Sequence, residues 1–417
     1  MRRSGQGHHL AVTVLEFANE PDAAAVAQAA ERLGRRHPIL HSRLQRSLRG
    51  MQAAWHPSQA AAVPLHQHRI DKASDLDRLI DDLLNSDAID ILADGPNLEL
   101  HLVVLSSGGW FLLVLWPHAL LDAVGLDKLI AELGGAEPGD AHGESSTIEG
   151  SARDLWQQAH PVIEDMRQFP VHRIRSLHRK DTRPGRNRFQ LLRFDHSQSA
   201  AIRRKMAETA GELLLLPYFA CCASRAVREV IAHRHPGEAI PILLSLPVQR
   251  RPNPAKRPLF HNHMVAYSLL LTDSELKELG PATKTLYRKY ADFIRRKHPA
   301  AMEALMRLME RCPSRIYLKP ASFYLKGEIC SLYHSHTGHF AKDCESLFGQ
   351  RLLNGYHVPS VSSPPGIGIF FSEYDGRLTG TIAWKDGVLD IDELELLKST
   401  LLADLGIHQA AAVTADR

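Results

Sequence analysis

The chain has no cysteine framework, no long apolar run and no strong charge of either sign, and each absence excludes a class of protein. Its five cysteines, Cys221, Cys222, Cys312, Cys330 and Cys344, are odd in number and show no CxxC spacing. That usage suits reduced thiols in a cytoplasm better than a disulfide frame. No window holds the uninterrupted apolar residues that a membrane-spanning helix needs. The opening MRRSGQGHHL has two arginines but no apolar segment after them, so no signal peptide is read. Contact with the inner face of a membrane from the cytoplasmic side stays open. The formal net charge of +3 carries no nucleic-acid footprint. No short-period repeat is found. What remains is an ordinary globular composition over 417 residues, enough to bury more than one core.

One stretch organises the rest. Trp110 to Trp116 is a near-continuous apolar run of strand length, bounded by Gly108 and Gly109 before it and Pro117 after it. His118 and Asp122 follow, then Gly125, then a segment from Leu126 to Leu133 with helical periodicity. A titratable pair therefore sits where a buried strand gives way to a helix, a place where rigid scaffolds present catalytic groups. A neutral histidine there can accept a proton from an attacking group near neutral pH. His and Asp are also metal ligands, but no third ligand stands nearby at a telling spacing, and no metal site is read.

On either side, strands and helices mix. His9 to Phe17 alternates like a strand, Ala23 to Arg36 has helical spacing, and strands are expected at Leu40 to Leu44 and Leu65 to Ile70. Asp75 to Leu84 reads as a helix with Ser74 as its cap, and Asn97 to Leu105 as a strand pairing with Phe111 to Trp116. Ala152 to Phe169 reads as an amphipathic helix. Residues 176–188, SLHRKDTRPGRNR, are basic and broken by Pro and Gly, and form the best linker candidate. The pattern then restarts: a strand at Phe189 to Phe194, helices at Ser197 to Ala210 and Leu213 to Ala232, and a buried strand at Ile240 to Leu246. Two strands, Gly366 to Ser372 and Leu378 to Trp384, flank a Tyr374-Asp375-Gly376 turn, and a helix closes the chain from Asp390.

The stretch around His118 resembles the HHxxxDG motif of the chloramphenicol acetyltransferase-like superfamily. That group includes peptide-synthetase condensation domains, wax ester synthase/diacylglycerol acyltransferases and polyketide-associated acyltransferases. In its HxxxD part, His118 matches the general base and Asp122 the structural aspartate. Pro117 replaces the first His and Ala123 the Gly. The opening strand, helix and "RRHPILHSRL" are similar to the start of that superfamily. LPVQRR, ending at Arg251, resembles a segment whose arginine pairs with the motif aspartate; Arg251 is the match and Arg250 the fallback. Asn262 matches the Asn of a "GN" pair in which His261 replaces the Gly. Ser335, Thr337 and Gly338 fit an "SN.G" turn in which His336 stands for the Asn, and such a turn offers donors to a developing oxyanion. Gly349, Arg351, Pro359, Gly366, Gly368, Gly376 and Leu378 follow in the family's order. The DFGWG of condensation domains is absent, which argues against the peptide-synthetase branch.

The resemblance implies an α/β (α+β) fold of two similar lobes, each a mixed sheet flanked by helices, with the active site in a channel between them. Residues 1–175 would form the first lobe, 176–188 the linker and 189–417 the second. It implies an acyltransferase that moves an acyl group from a thioester carrier, acyl-CoA or an acyl-phosphopantetheine carrier protein, to a hydroxyl or amine acceptor. The carrier is a co-substrate and no cofactor is held permanently. A monomer and a dimer fit equally. A non-catalytic member of the fold that binds acyl carriers or a protein partner is the alternative, and a metal hydrolase drawing on the many histidines ranks behind both.

Overall fold

A computed structural model describes residues 9–46, 53–57, 62–136, 150–179, 185–212, 214–249, 259–311, 327–340 and 344–407. The first half gives β1 (Leu10–Phe17), α1 (Ala23–Arg36), β2 (Ser42–Arg46), β3 (Ala53–Pro57), β4 (Leu65–Ile70), α2 (Ala73–Leu84), β5 (Glu99–Leu105), β6 (Trp110–Pro117), α3 (Ala123–Leu133) and α4 (Ala152–Met166). The second gives β7 (Asn187–Arg193), α5 (His196–Thr209), α6 (Leu215–Arg234), β8 (Ile242–Gln249), β9 (Met264–Leu271), α7 (Leu279–Arg295), α8 (His298–Glu310), β10 (Leu332–His339), β11 (Ser346–Leu347), β12 (Gln350–Pro359), β13 (Ile367–Tyr374), β14 (Arg377–Lys385) and α9 (Ile391–Asp404).

The strands form two six-stranded sheets, ordered β11-β12-β1-β6-β5-β4 and β7-β14-β13-β10-β8-β9, beside a small β2-β3 ribbon. The apolar run Trp110–Pro117 lies inside the first sheet, antiparallel to β1 on one side and β5 on the other. Both its faces are therefore covered, which is why it reads as continuous rather than alternating. One face packs on α1 and α3 through Leu112, Val114 and Trp116; the other packs on α2 through Leu113 and Leu115. The second sheet packs on α6, whose residues from Pro217 to Ser224 are all buried, and on α9.

The expected division into lobes needs correction. Residues 189–417 do not keep to one lobe. β12 crosses to the first sheet and pairs antiparallel with β1, from Ala11–Pro359 to Phe17–Leu352. The pairing covers what would otherwise be an edge of β1, and strand-edge polar groups need partners. The two halves are further tied by α2 against β7, where Asn85 and Asn187 exchange hydrogen bonds (2.7 and 3.1 Å) and Asp81 meets Arg186 and Arg188. Smaller differences concern element ends. Leu40 belongs to a short 3-10 turn, Pro38–His41, ahead of β2. The cap of α2 is Lys72 rather than Ser74, with the Asp75 carboxylate accepting the Lys72 N–H at 3.2 Å.

Candidate active site

The site forms where β6 ends. The Leu120 N–H donates to the Pro117 carbonyl (2.9 Å), closing a tight turn that holds His118. The His118 N–H donates to the His9 carbonyl (2.9 Å), pinning the turn to the start of β1. Leu121 then forms a bridge with His261, and the His261 N–H donates to the Leu120 carbonyl at 2.7 Å. The chain thus leaves the first sheet and at once touches the segment that leads into β9 of the second.

Asp122 is buried, with 0% exposure, and caps α3: Oδ1 accepts the Gly125 N–H at 2.9 Å. Its other oxygen accepts the His263 N–H at 3.1 Å. One carboxylate therefore starts the helix and holds the opposite half, with its charge at the positive end of the helix dipole. Arg250 and Arg251, its expected partners, lie outside the described residues. The helix begins at Ala123, three residues before the apolar periodicity announces it, because the cap sets its start. Ala123 therefore takes helical geometry and needs no positive φ. The glycine that matters is Gly125, where a Cβ would stand 2.2 Å from the Leu259 carbonyl oxygen. On the far side of that segment Phe260 packs edge-on to His37 (5.1 Å), and His37 is hydrogen-bonded to Glu132 of α3 at 2.9 Å. The His-Pro pair of the opening motif thus props α1, α3 and the second-half segment together.

His118 is half-buried, its ring against Trp116 at 5.5 Å between centroids. Asn262 Nδ2 donates to His118 Nδ1 (3.2 Å) while Asn262 Oδ1 accepts the Met264 N–H at 3.0 Å. In the neutral ring this hydrogen bond places the lone pair on Nδ1 and the proton on Nε2. A general base acting through Nε2 needs the reverse arrangement. No carboxylate pairs with His118 among the described residues, as a neutral base requires.

Sequence reasoning missed two imidazoles beside His118, His9 and His357, and a lysine beside His9, Lys385. Burial, reinforced by the charges of His118 and Lys385, pushes His9 down to about 4. Burial and then His118 push His357 down to about 3. Lys385, also buried, falls to about 8. His357 Nδ1 is hydrogen-bonded to the Thr13 hydroxyl (2.8 Å), which accepts from the Trp116 indole at 3.0 Å. Its Nε2 is buried and has no hydrogen-bond partner among the described residues. The imidazoles around His118 are thus held neutral. The only hint of His357 in the sequence is its place just before Pro359.

Ser335, Thr337 and Gly338 lie on β10 of the second sheet. No hydrogen bond links them to His118 among the described residues. The Thr337 hydroxyl donates to the Phe371 carbonyl at 3.5 Å, and Gly338 takes φ +71° at a break in the β10–β13 register. His336 is packed on Phe219 (5.3 Å) and pushed down to about 4 by burial, so it is a neutral core ring rather than a surface donor. The β10–β8 ladder stops after Tyr333–Ser245 although both strands continue.

No family model matches the chain, and no curated protein matches it. Solved structures do. The first condensation domain of the calcium-dependent antibiotic synthetase, in complex with a substrate analogue, superposes with TM-score 0.68 at 15% identity, over 100% of this chain and 95% of that one. A trichothecene 15-O-acetyltransferase from Fusarium sporotrichioides gives 0.67 at 11%, over 97% and 92%. The chain has the chloramphenicol acetyltransferase-like fold. A wax ester synthase/diacylglycerol acyltransferase from Marinobacter aquaeolei VT8 is also similar, with TM-score 0.58 at 17% identity over 96% and 95%. At these identities the likeness is one of fold, and it extends to condensation domains despite the missing DFGWG. Two of these neighbours carry acyltransferase names, the trichothecene 15-O-acetyltransferase and the wax ester synthase/diacylglycerol acyltransferase. No helix among the described residues is long and apolar enough to cross a membrane, and the four described cysteines are free and buried.

Proposed function

We propose that the chain transfers an acyl group from a thioester carrier, acyl-CoA or an acyl carrier protein, to a hydroxyl or amine, with His118 as general base. One observation carries this: the turn bearing His118 is clamped between the two halves by Asp122 and Asn262, with no carboxylate on its ring among the described residues. In the reaction the imidazole takes the acceptor's proton as its oxygen or nitrogen attacks the thioester carbonyl. The tetrahedral intermediate collapses, the C–S bond breaks, and the imidazolium returns the proton to the leaving thiolate. No acyl-enzyme is needed, since the thioester is already activated. General-base catalysis of this kind is worth roughly 10²- to 10⁴-fold, and holding both substrates between the halves supplies the rest. Backbone or hydroxyl donors at Ser335, Thr337 and Gly338 would face the oxyanion, and Arg251 or Arg250 would add its charge to Asp122.

Nε2 can act as the base only when the ring proton moves to Nδ1. Asn262 serves that tautomer if its amide turns over and presents Oδ1, at the cost of the Met264 hydrogen bond. A second reading is a carrier-binding protein without catalysis, which needs no change of tautomer at His118. The deciding test incubates the protein with acyl-CoA and acyl-phosphopantetheine thioesters and a panel of alcohols and amines. Thiol release that depends on the acceptor supports transfer. Carrier binding without thiol release supports the binder.

A further inference from the structure

A separate cluster lies at the edge of the first sheet. β4 is the end strand and runs parallel to β5. Their register sets His66 opposite His101, and strand alternation puts Glu99 and His68 on the same face. The His66 and His101 rings stack at 4.7 Å between centroids. His101 Nε2 lies 3.4 Å from Glu99 Oε2, and His66 Nε2 lies 3.8 Å from the same oxygen. One ligand atom from each of the three residues falls within 4.8 Å of the others.

Two features separate this cluster from solvated side chains that happen to be neighbours. Glu99 is 7% exposed, and its charge partners among the described residues are these two imidazoles alone. A carboxylate buried without a firm cation is costly. In addition, His101 is 4% exposed and its Nε2 makes no hydrogen bond. Its other nitrogen, Nδ1, is 3.1 Å from His68 Nε2. When Nδ1–H donates to His68, the free lone pair is left on Nε2, the atom that faces Glu99. Metal-bound imidazoles are oriented in this way by a second hydrogen bond.

We propose that His66, Glu99 and His101 bind a divalent first-row transition ion of zinc's class. Two imidazole nitrogens and one carboxylate oxygen are a donor set such ions favour. Tetrahedral bonds of about 2.0–2.2 Å put ligand atoms roughly 3.3–3.6 Å apart. The Glu99–His101 contact already has that spacing, and His66, whose side chain is 46% exposed, is free to swing inward. A fourth position stays open to water. The ion would staple the end strand β4 to β5, independently of any acyl transfer at His118. The sequence hides the site because the two histidines come from different strands and meet only through a parallel register.

The test titrates the chelator-stripped full chain with zinc by calorimetry, uses cobalt(II) as a spectroscopic probe, and records thermal melts with and without zinc. The expected result is one tight equivalent, cobalt d–d bands and a higher melting temperature with zinc. His66→Ala changes an exposed side chain, so its fold should survive; it should weaken binding at least about tenfold. Glu99→Gln should do the same, and His68→Phe should reduce affinity roughly 10- to 100-fold without removing a ligand. The chain has 24 histidines, so adventitious binding elsewhere would survive these changes. Absence of tight binding, or binding unchanged in His66→Ala and Glu99→Gln, overturns the site.

Discussion

At the scale of single residues, function turns on which nitrogen of His118 carries a proton. Asn262 decides this through an exposed 3.2 Å hydrogen bond. Asn262→Asp would offer only acceptors, fix the proton on Nδ1 and place a negative charge beside the ring. Its imidazolium is then stabilised, so the acid limb of the pH–rate profile should move to higher pH; a profile superposing on wild type would show that Asn262 does not govern the tautomer. Asn262→Ala should lower the melt only slightly, because the two hydrogen bonds it removes are exposed. His118 was singled out because it ends a patterned strand, and Asn262 only through the resemblance; the structure brings the two together at 3.2 Å. His9, His357 and Lys385 were not legible in the sequence. His9 and His357 reach the site through the register of β1 with β6 and β12, and register is not written in the periodicity of any one strand.

At the scale of elements, α3 and its cap hold the halves together. Asp122→Ala removes the acceptor for Gly125 and for His263, and loss of the cap alone costs about 0.5–2 kcal/mol. Chemical denaturation should show at least that loss, and Asp122→Asn, which keeps one acceptor, should lose less. Gly125→Ala would drive a methyl to 2.2 Å from the Leu259 carbonyl, and overpacking of this kind costs about 1–3 kcal/mol. By contrast Ala123→Gly should not stabilise the chain, since Ala123 is already helical. The hairpin Ile367–Tyr374 with Arg377–Lys385 was readable to within two residues, because its alternation and Asp-Gly turn are local signals. The strand Gln350–Pro359 lay within a recognised stretch, but its choice of sheet was not legible. That choice depends on which edge lacks a partner in three dimensions.

At the scale of the whole molecule, the fold buries neutral imidazoles in both halves. Burial is the first cause at each of His9 and His336, at about 4, and His334 and His357, at about 3, all against an ordinary 6.5. Between those values and 6.5 the unfolded chain binds more protons than the folded one, so stability rises with pH. The stability is fully present above about 6.5 and is lost as pH falls toward 4. Thermal melts should therefore decline already from about pH 6, before carboxylate protonation sets in. A melting temperature flat from pH 7 to 5 would mean that these rings are not neutral in the folded protein.

The two-lobed fold has a purpose in this account only if His118, held where the halves meet, moves a proton during acyl transfer. The most direct measurement is a single-turnover assay of His118→Ala beside wild type, with an acyl thioester and an acceptor that wild type uses, run with a thermal melt of each. Equal melts, retained thioester binding and a turnover rate lower by at least roughly a hundredfold are expected. A variant that melts like wild type and still transfers the acyl group at a near wild-type rate would contradict it.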